Sequence, residues 1–355
     1  MACFPAPSGA RRMPTKLAMC LGALLMTGSA LAQESSPTPA ASTQGTVAPA
    51  KPVDLQTVTV RGTQPGPALW EVRKGDHVLW VLGTISPLPK YATWQWTQLE
   101  QALGKSSEML EAPSARLKMP PSLFSRLALQ PAARLNPGGA TLERMLPADM
   151  YQRWRVLRHE YLHDDDAYEY QRPIIVAEQL FTKALDAHGL TGDTDVEDIV
   201  EKLARKHGTR QVPVRYELVI RKVPKPNGGA DSDQQQGIAC LDETMQIIEH
   251  DMPKLTQRAN AWATGDTATL QKLMEGSREP CVVSAINGDF EHQLNVTDLP
   301  QRINTAWVRE ADLALTRNRR TVAVLTMEQL TSPTGYLATL RSMGYLVQPP
   351  ADLKQ

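Results

Sequence analysis

Five polar residues come at or just after the ends of predicted strands, where their side chains could bind a ligand or take part in catalysis. In chain order they are Ser86, Glu111, Glu217, Glu328 and Gln329. In an open α/β sheet, ligands bind beyond the carboxyl ends of the strands. We therefore expect these side chains near one edge of the sheet, where hydroxyl, carboxylate and amide oxygens could bind a hard cation.

Residues 159–163 read His-Glu-Tyr-Leu-His and match the H-E-x-x-H pattern of zinc peptidases. On a helix, His159 and His163 would lie one turn apart and could bind zinc, with the glutamate between them as a base. The spacing of Trp154, Leu157 and Tyr161, however, predicts a core face that leaves the histidines to one side. No third histidine follows at close range, so we interpret the match as part of a surface helix.

Three consecutive segments, at residues 67–72, 78–82 and 83–89, resemble the opening of the TraB/GumN (Tiki-like) family. Two later stretches extend the resemblance over about residues 67–350: Ala261-Trp262-x-x-Gly265-Asp266 and Asn304-Thr305-Ala306-Trp307. The resemblance implies an EreA/ChaN-like architecture. It also implies a metal-dependent hydrolase or protease whose divalent metal is held by two Gly-x-x-His motifs and a glutamate.

The sequence departs from the family pattern at both histidines. Ser86 stands at the first histidine position, in Gly83-Thr84-Ile85-Ser86, and Gln329 stands at the second, with Thr326 or Glu328 in place of the second glycine. Glu111 alone carries over directly. Because hydroxyl and amide groups are poorer ligands for a transition metal than imidazoles, we expect no metal cofactor and a catalytically degenerate site.

Strands and helices alternate at both ends of the chain. Short apolar runs rich in β-forming residues predict strands at 78–82, 107–111, 321–326 and 345–347, with helices at 93–103 and 334–342. A further helix at 196–207 leads into a strand at 212–217. The regions between read as helices at 147–164, 173–188, 240–263 and 266–275, with a polar loop at 223–237. The sequence thus predicts an α/β fold whose mostly parallel sheet is built from the N- and C-terminal parts, with a large helical insertion.

The first 32 residues have the order of a secretory signal peptide: a basic start, an apolar stretch at 17–26 and small residues up to Ala32. Residues 33–66 are rich in Ser, Thr, Pro and Ala and predict a disordered linker, which leaves 67–351 as the folded domain. We therefore expect a periplasmic or secreted protein with no transmembrane segment in the mature chain. The 38 basic and 38 acidic residues of the whole chain give no basic excess for binding nucleic acid.

Two cysteines, Cys240 and Cys281, remain after the predicted signal peptide. In an oxidising compartment, a pair of cysteines most simply forms a disulfide. A catalytic thiol is the alternative.

Three functions are compatible with these patterns. The leading hypothesis is an exported protein of this family that acts by binding. The second is a surviving hydrolase, with a site rebuilt from Ser86, Glu111, Glu328 and Gln329 or with the histidines of 159–163. Ser86 has no Gly-x-Ser-x-Gly context that would mark it as a nucleophile. The third is a polysaccharide-associated envelope protein, which the resemblance alone suggests. A cleft lined by Tyr91, Trp94 and Trp96 would be evidence for it. The sequence indicates no specific partner.

Overall fold

The computed structural model describes residues 58–118, 134–219, 230–275, 280–281 and 298–350. The predicted signal peptide and most of the predicted linker lie outside the described residues. The last residues of that linker do not, and they form a short strand that pairs with the domain.

A six-stranded sheet lies at the centre of the described part of the chain. Its strands, from one edge to the other, are β12 (Leu346–Gln348), β2 (Leu69–Lys74), β3 (His77–Thr84), β11 (Arg320–Thr326), β6 (Glu108–Leu110) and β9 (Arg210–Val212). The neighbours from β3 to β9 are parallel, whereas β12 and β3 are each antiparallel to β2. The predicted α/β fold with a mostly parallel sheet is confirmed.

Three small two-stranded pairs flank this sheet. They are β1 (Gly62–Gln64) with β5 (Ala92–Trp94), β4 (Leu88–Pro89) with β8 (Leu190–Thr191), and β7 (Ser114–Lys118) with β10 (Arg215–Val219). The single strand predicted at 212–217 is wrong, because the chain there is divided between β9 and β10. Pro213 lies between them and has no N–H to donate to a ladder, and Ser114 then donates to the carbonyl of Val214 at 3.0 Å, which starts the second pair.

The helices of the described residues alternate with strands near both ends and cluster in the middle. In chain order they are α1 (Thr97–Lys105), α2 (Leu142–Met145), α3 (Ala148–Leu162), α4 (Pro173–Ala187), α5 (Val196–His207), α6 (Ala230–Gln246), α7 (Met252–Thr264), α8 (Thr267–Met274), α9 (Leu299–Arg317), α10 (Met327–Thr331) and α11 (Tyr336–Ser342). Part of the predicted loop at 223–237 is helical, since α6 begins at Ala230. Residues 230–237 have no apolar periodicity, so the helical propensity of the glutamines at 234–236 was the main local signal. No helix in these ranges has the length and apolar character needed to cross a membrane.

Helices cover both faces of the sheet. Helices α9 and α11 pack on one face around the fully buried Trp307, while α1, α5 and α8 pack on the other around Leu103. The helical insertion has a core of its own, in which Trp154, Leu180 and Leu241 are fully buried. Cys240 of α6 forms a disulfide with Cys281, and the predicted pairing is confirmed.

A buried carboxylate joins two strands and a helix at the amino end of the sheet. Glu108, the first residue of β6, is only 1% exposed. It accepts hydrogen bonds from Arg210 of β9 and from Arg317 at the end of α9, the latter at 3.2 Å. Both arginine side chains remain about half exposed or more, so the ion pairs compensate the single charge that is removed from water.

Candidate functional site

A cavity of about 590 Å³ opens beyond the carboxyl ends of β3 and β11. Ser86 lines it from the turn after β3, and Glu328 lines it from the first turn of α10, which follows β11 directly. The segment 192–198, which leads into α5, forms a second wall, and Arg258 of α7 a third. This is the place where an open α/β sheet holds its ligands.

The turn that carries Ser86 is held close to its neighbours by Gly83. A Cβ atom on Gly83 would lie 2.2 Å from the sulfur of Met327 in α10, so any larger residue would require the Met327 side chain to move. The carbonyl of Gly83 also accepts a 2.7 Å hydrogen bond from the buried Trp262 indole of α7. The glycine and tryptophan that carry the family resemblance thus have a packing role that fixes the position of the turn.

The hydroxyl and the carbonyl of Ser86 are both hydrogen-bonded within the protein. Its hydroxyl donates to the carbonyl of Gly192 at 3.3 Å, and its carbonyl accepts from a guanidinium nitrogen of Arg258 at 3.0 Å. Ser86 therefore connects the strand turn to the two other walls of the cavity.

Gln329 closes the first turn of α10 in a capping box. Its side-chain oxygen accepts from the backbone N–H of Thr326 at 3.1 Å, while the Thr326 hydroxyl accepts from the N–H of Gln329 at 3.2 Å. Such a pair satisfies two backbone donors that a helix start otherwise leaves open. The side chain at the second family histidine position is thus used to begin a helix.

The two remaining glutamates of the predicted set interact with basic residues, and Glu217 lies in the middle of β10 rather than after a strand. The Glu111 carboxylate lies 3.7 Å from Arg215 and is 24% exposed, and Glu217 on β10 pairs with Lys118 at 2.5 Å. Neither of them lines the cavity.

The structure therefore brings Ser86 and Glu328 together at one cavity and gives Glu111, Glu217 and Gln329 other neighbours. A serine hydroxyl that donates to a carbonyl and an amide held in a helix cap do not fit a transition-metal site. Among the residues that the structure describes, no group of three or more His, Cys, Asp or Glu side chains could hold a metal ion.

Arg258 was missed by the sequence reasoning, although a signal for it exists. It falls on the same face of α7 as the buried Leu255, Ala259 and Trp262 and is itself only 7% exposed. A charged residue on an apolar helix face points to a specific polar environment. That environment is the wall of the cavity.

The cavity has a strongly acidic lining. Besides Glu328 it includes four acidic residues of the segment 192–198, which are Asp193, Asp195, Glu197 and Asp198. Glu197 is exposed as a residue, but its carboxyl is partly enclosed. This burial, followed by repulsion from Glu201 and Asp198, raises the pKa of Glu197 above its ordinary value. Against these five carboxylates, Arg258 supplies the one guanidinium among the lining residues that the structure describes.

The H-E-x-x-H match does not form a zinc site. Helix α3 ends at Leu162, and His163 follows it in a left-handed conformation with φ of 55°, so His163 is not part of the helix that the motif requires. His159 is exposed and pairs with Asp164 at 2.6 Å, which raises the pKa of the imidazole. Trp154 and Leu157 are buried, as the predicted core face requires.

The aromatic residues after β4 do not form the cleft that a polysaccharide-associated function would favour. Trp94 packs edge-to-face against Trp96 and Trp262, with ring centroids 6.0 and 5.4 Å away. Tyr91 is exposed beside Arg61, at 4.8 Å from ring centroid to guanidinium. Tyr91, Trp94 and Trp96 are all absent from the lining of the cavity beyond the carboxyl ends of the strands.

Comparison with known proteins gives one result. Residues 68–349 match the model of the TraB/PrgY/gumN family. No curated protein and no solved structure matches the chain, so the EreA/ChaN-like architecture stays a prediction. The match spans most of the chain and includes every strand of the central sheet, and the chain therefore belongs to the TraB/PrgY/gumN family.

Proposed function

We propose that this protein is an exported member of its family that no longer carries out metal-dependent hydrolysis and acts by binding a ligand. The observation that carries the proposal lies at the two positions where the resemblance expects imidazoles. There, Ser86 donates to the carbonyl of Gly192 and Gln329 caps α10. Neither side chain is a good transition-metal ligand, and each has a structural use.

The alternative of a rebuilt hydrolase is less well supported. It requires Ser86, Glu111 and Gln329 to act on one metal or one water. Within the described ranges, no hydrogen bond or ion pair joins any two of these side chains, and Glu111 lies beside Arg215 instead.

The cavity supports a binding function and indicates the charge of the ligand. Its volume of about 590 Å³ falls within the range of roughly 300–1,000 Å³ typical of small-molecule sites. In the described part of the lining, five carboxylates stand against one guanidinium, and such an excess produces a negative potential that attracts cationic ligands. We therefore infer a small ligand with at least one ammonium group.

Export is supported by two features. The first 32 residues have the order of a signal peptide, and the Cys240–Cys281 disulfide is typical of an oxidising compartment. Detection of the mature protein in the periplasmic or secreted fraction, with its N-terminus at Gln33, is the expected result.

Metal analysis of the purified mature protein tests the loss of the metal centre. We expect substoichiometric manganese, cobalt and zinc, and no change on Glu111→Gln. Stoichiometric metal that is lost in Glu111→Gln would overturn the proposal.

Thermal-shift titration tests the ligand. Putrescine and succinate have four carbons each and opposite charge, and we expect only the diamine to stabilise the protein. Replacement of Asp193 and Glu328 with their amides should abolish this shift, whereas Asp149→Asn, an exposed acid on α3, should leave it unchanged. Equal stabilisation by both compounds would contradict a cation-selective cavity.

A further inference from the structure

A second concave site lies on the sheet face covered by α1 and has a different lining from the cavity beyond the carboxyl ends. It has a volume of about 340 Å³ and is bounded by α1, by the start of β2 and by Pro349 and Pro350 after β12. The two sites share no lining residue. We call this second site the Trp80 groove.

Trp80 of β3 is half-buried in the groove and is held in a fixed orientation. Its indole N–H donates to a carboxylate oxygen of Glu71 at 3.3 Å, across the β2–β3 pair. The other oxygen of Glu71 accepts from Nε and Nη2 of Arg73 at 2.9 and 2.6 Å. On the adjacent strand, the guanidinium of Arg320 lies 5.9 Å from the ring centroid. The ring is thus positioned in advance, which lowers the entropic cost of binding against it.

Helix α1 presents one polar face to the groove. Its lining residues are Gln98, Gln101, Ala102 and Lys105, which follow the i, i+3, i+4, i+7 spacing of a single helix face. The two glutamines are exposed, and each amide offers one acceptor and two donors. The small Ala102 side chain leaves room between them and the indole.

The charges of the groove are largely compensated. Glu71 is paired with Arg73, and Lys105 is the other charged residue among the described residues of the lining. This balance differs from the acidic cavity and does not select a cation. The opposite wall is made of two prolines, which are rigid and donate no backbone hydrogen bond.

We propose that the Trp80 groove binds a pyranose ring of a sugar. The face of an indole carries negative charge density, and the axial C–H groups of a pyranose carry a small positive charge, so the two faces attract. Adjacent sugar hydroxyls, which both donate and accept, match the paired amides of Gln98 and Gln101. The proposal is independent of the proposed function of the acidic cavity, because it depends on a different site.

Saturation-transfer NMR on the mature protein tests this inference, with the methyl glycosides of glucose, galactose, mannose and glucuronic acid as probes. We expect transfer to the ring C–H protons of at least one probe. The double variant Gln98→Ala/Gln101→Ala should weaken its binding at least tenfold, and Trp80→Phe should weaken it less because a ring remains. Both glutamines are exposed, so the double variant is expected to fold.

Two controls separate this site from others. Gln152→Ala removes an exposed glutamine from α3, and Ser86→Ala alters the acidic cavity; both should leave sugar binding unchanged. Absence of transfer to every probe would overturn the inference. So would transfer that the Gln98→Ala/Gln101→Ala variant does not reduce.

Discussion

Substitution of Gln329 distinguishes a helix-capping role from a role as a ligand for a metal or substrate. The structure gives it one side-chain bond, in which Oε1 accepts from the Thr326 N–H at 3.1 Å. An intramolecular hydrogen bond contributes about 0.5–1.5 kcal/mol. Thr326 is exposed, so water can reach the freed N–H, and the cost of Gln329→Ala should lie near the low end, about 0.5–1 kcal/mol.

Urea denaturation of four proteins checks this value: the wild type, Gln329→Ala, Thr326→Ala and the double variant. Loss of a threonine N-cap costs about 0.5–2 kcal/mol. Because the two bonds form one box, the double variant should lose less than the sum of the single losses. Gln329→Glu keeps the acceptor and adds a negative charge near the helix N-terminus, so it should be at least as stable as the wild type.

Either of two results would refute the capping role of Gln329. If Gln329→Ala left the free energy of unfolding unchanged but removed metal or ligand binding, Gln329 would be a ligand rather than a capping residue. If Gln329→Glu were as unstable as Gln329→Ala, the side-chain acceptor would not stabilise the start of α10, and the capping role would be refuted as well.

Three further predictions concern stability. Replacing both Arg210 and Arg317 with alanine leaves the Glu108 charge buried without a partner and should lower the free energy of unfolding by roughly 3–5 kcal/mol in urea denaturation at pH 7. Glu108→Gln leaves both guanidinium groups in water and should lower it by less. A larger loss for Glu108→Gln than for the double variant would contradict this account. Because the pKa of Glu197 is raised in the folded state, its ionisation opposes folding as the pH rises above 4.5. In urea titrations, Glu197→Gln should therefore be more stable than the wild type at pH 7, and this difference in stability should vanish below pH 4.5. An equal difference at both pH values would argue against a raised pKa. The disulfide spans a sequence separation of 41, so Cys240→Ser should lose up to about 4 kcal/mol and, unlike the wild type, show no further loss in dithiothreitol.

Sequence patterns were sufficient for the elements whose signals are local. The apolar run at 78–82 lies inside β3, and the helix predicted at 196–207 has those bounds. Gly208 ends that helix with φ of 69°, a left-handed conformation that glycine adopts without strain. The order of the motifs gave the family, which the match over residues 68–349 confirms.

Local patterns did not reveal how the strand at 212–217 is divided. Its apolar alternation continues through Pro213, but the missing N–H allows the chain to leave the central sheet and pair with β7. The partner strand is about a hundred residues away in the sequence, and nothing near Pro213 specifies it.

What the sequence by itself determined is the fold class and the absence of the two expected histidines; it favoured the disulfide over a catalytic thiol, and the structure pairs the two cysteines. Only the tertiary structure decided that Ser86 lines an acidic cavity with Arg258, 172 residues away, and that Gln329 caps a helix. The physical reason is that burial periodicity and turn chemistry act between near neighbours, whereas a site is made by strand register and by hydrogen bonds between distant segments.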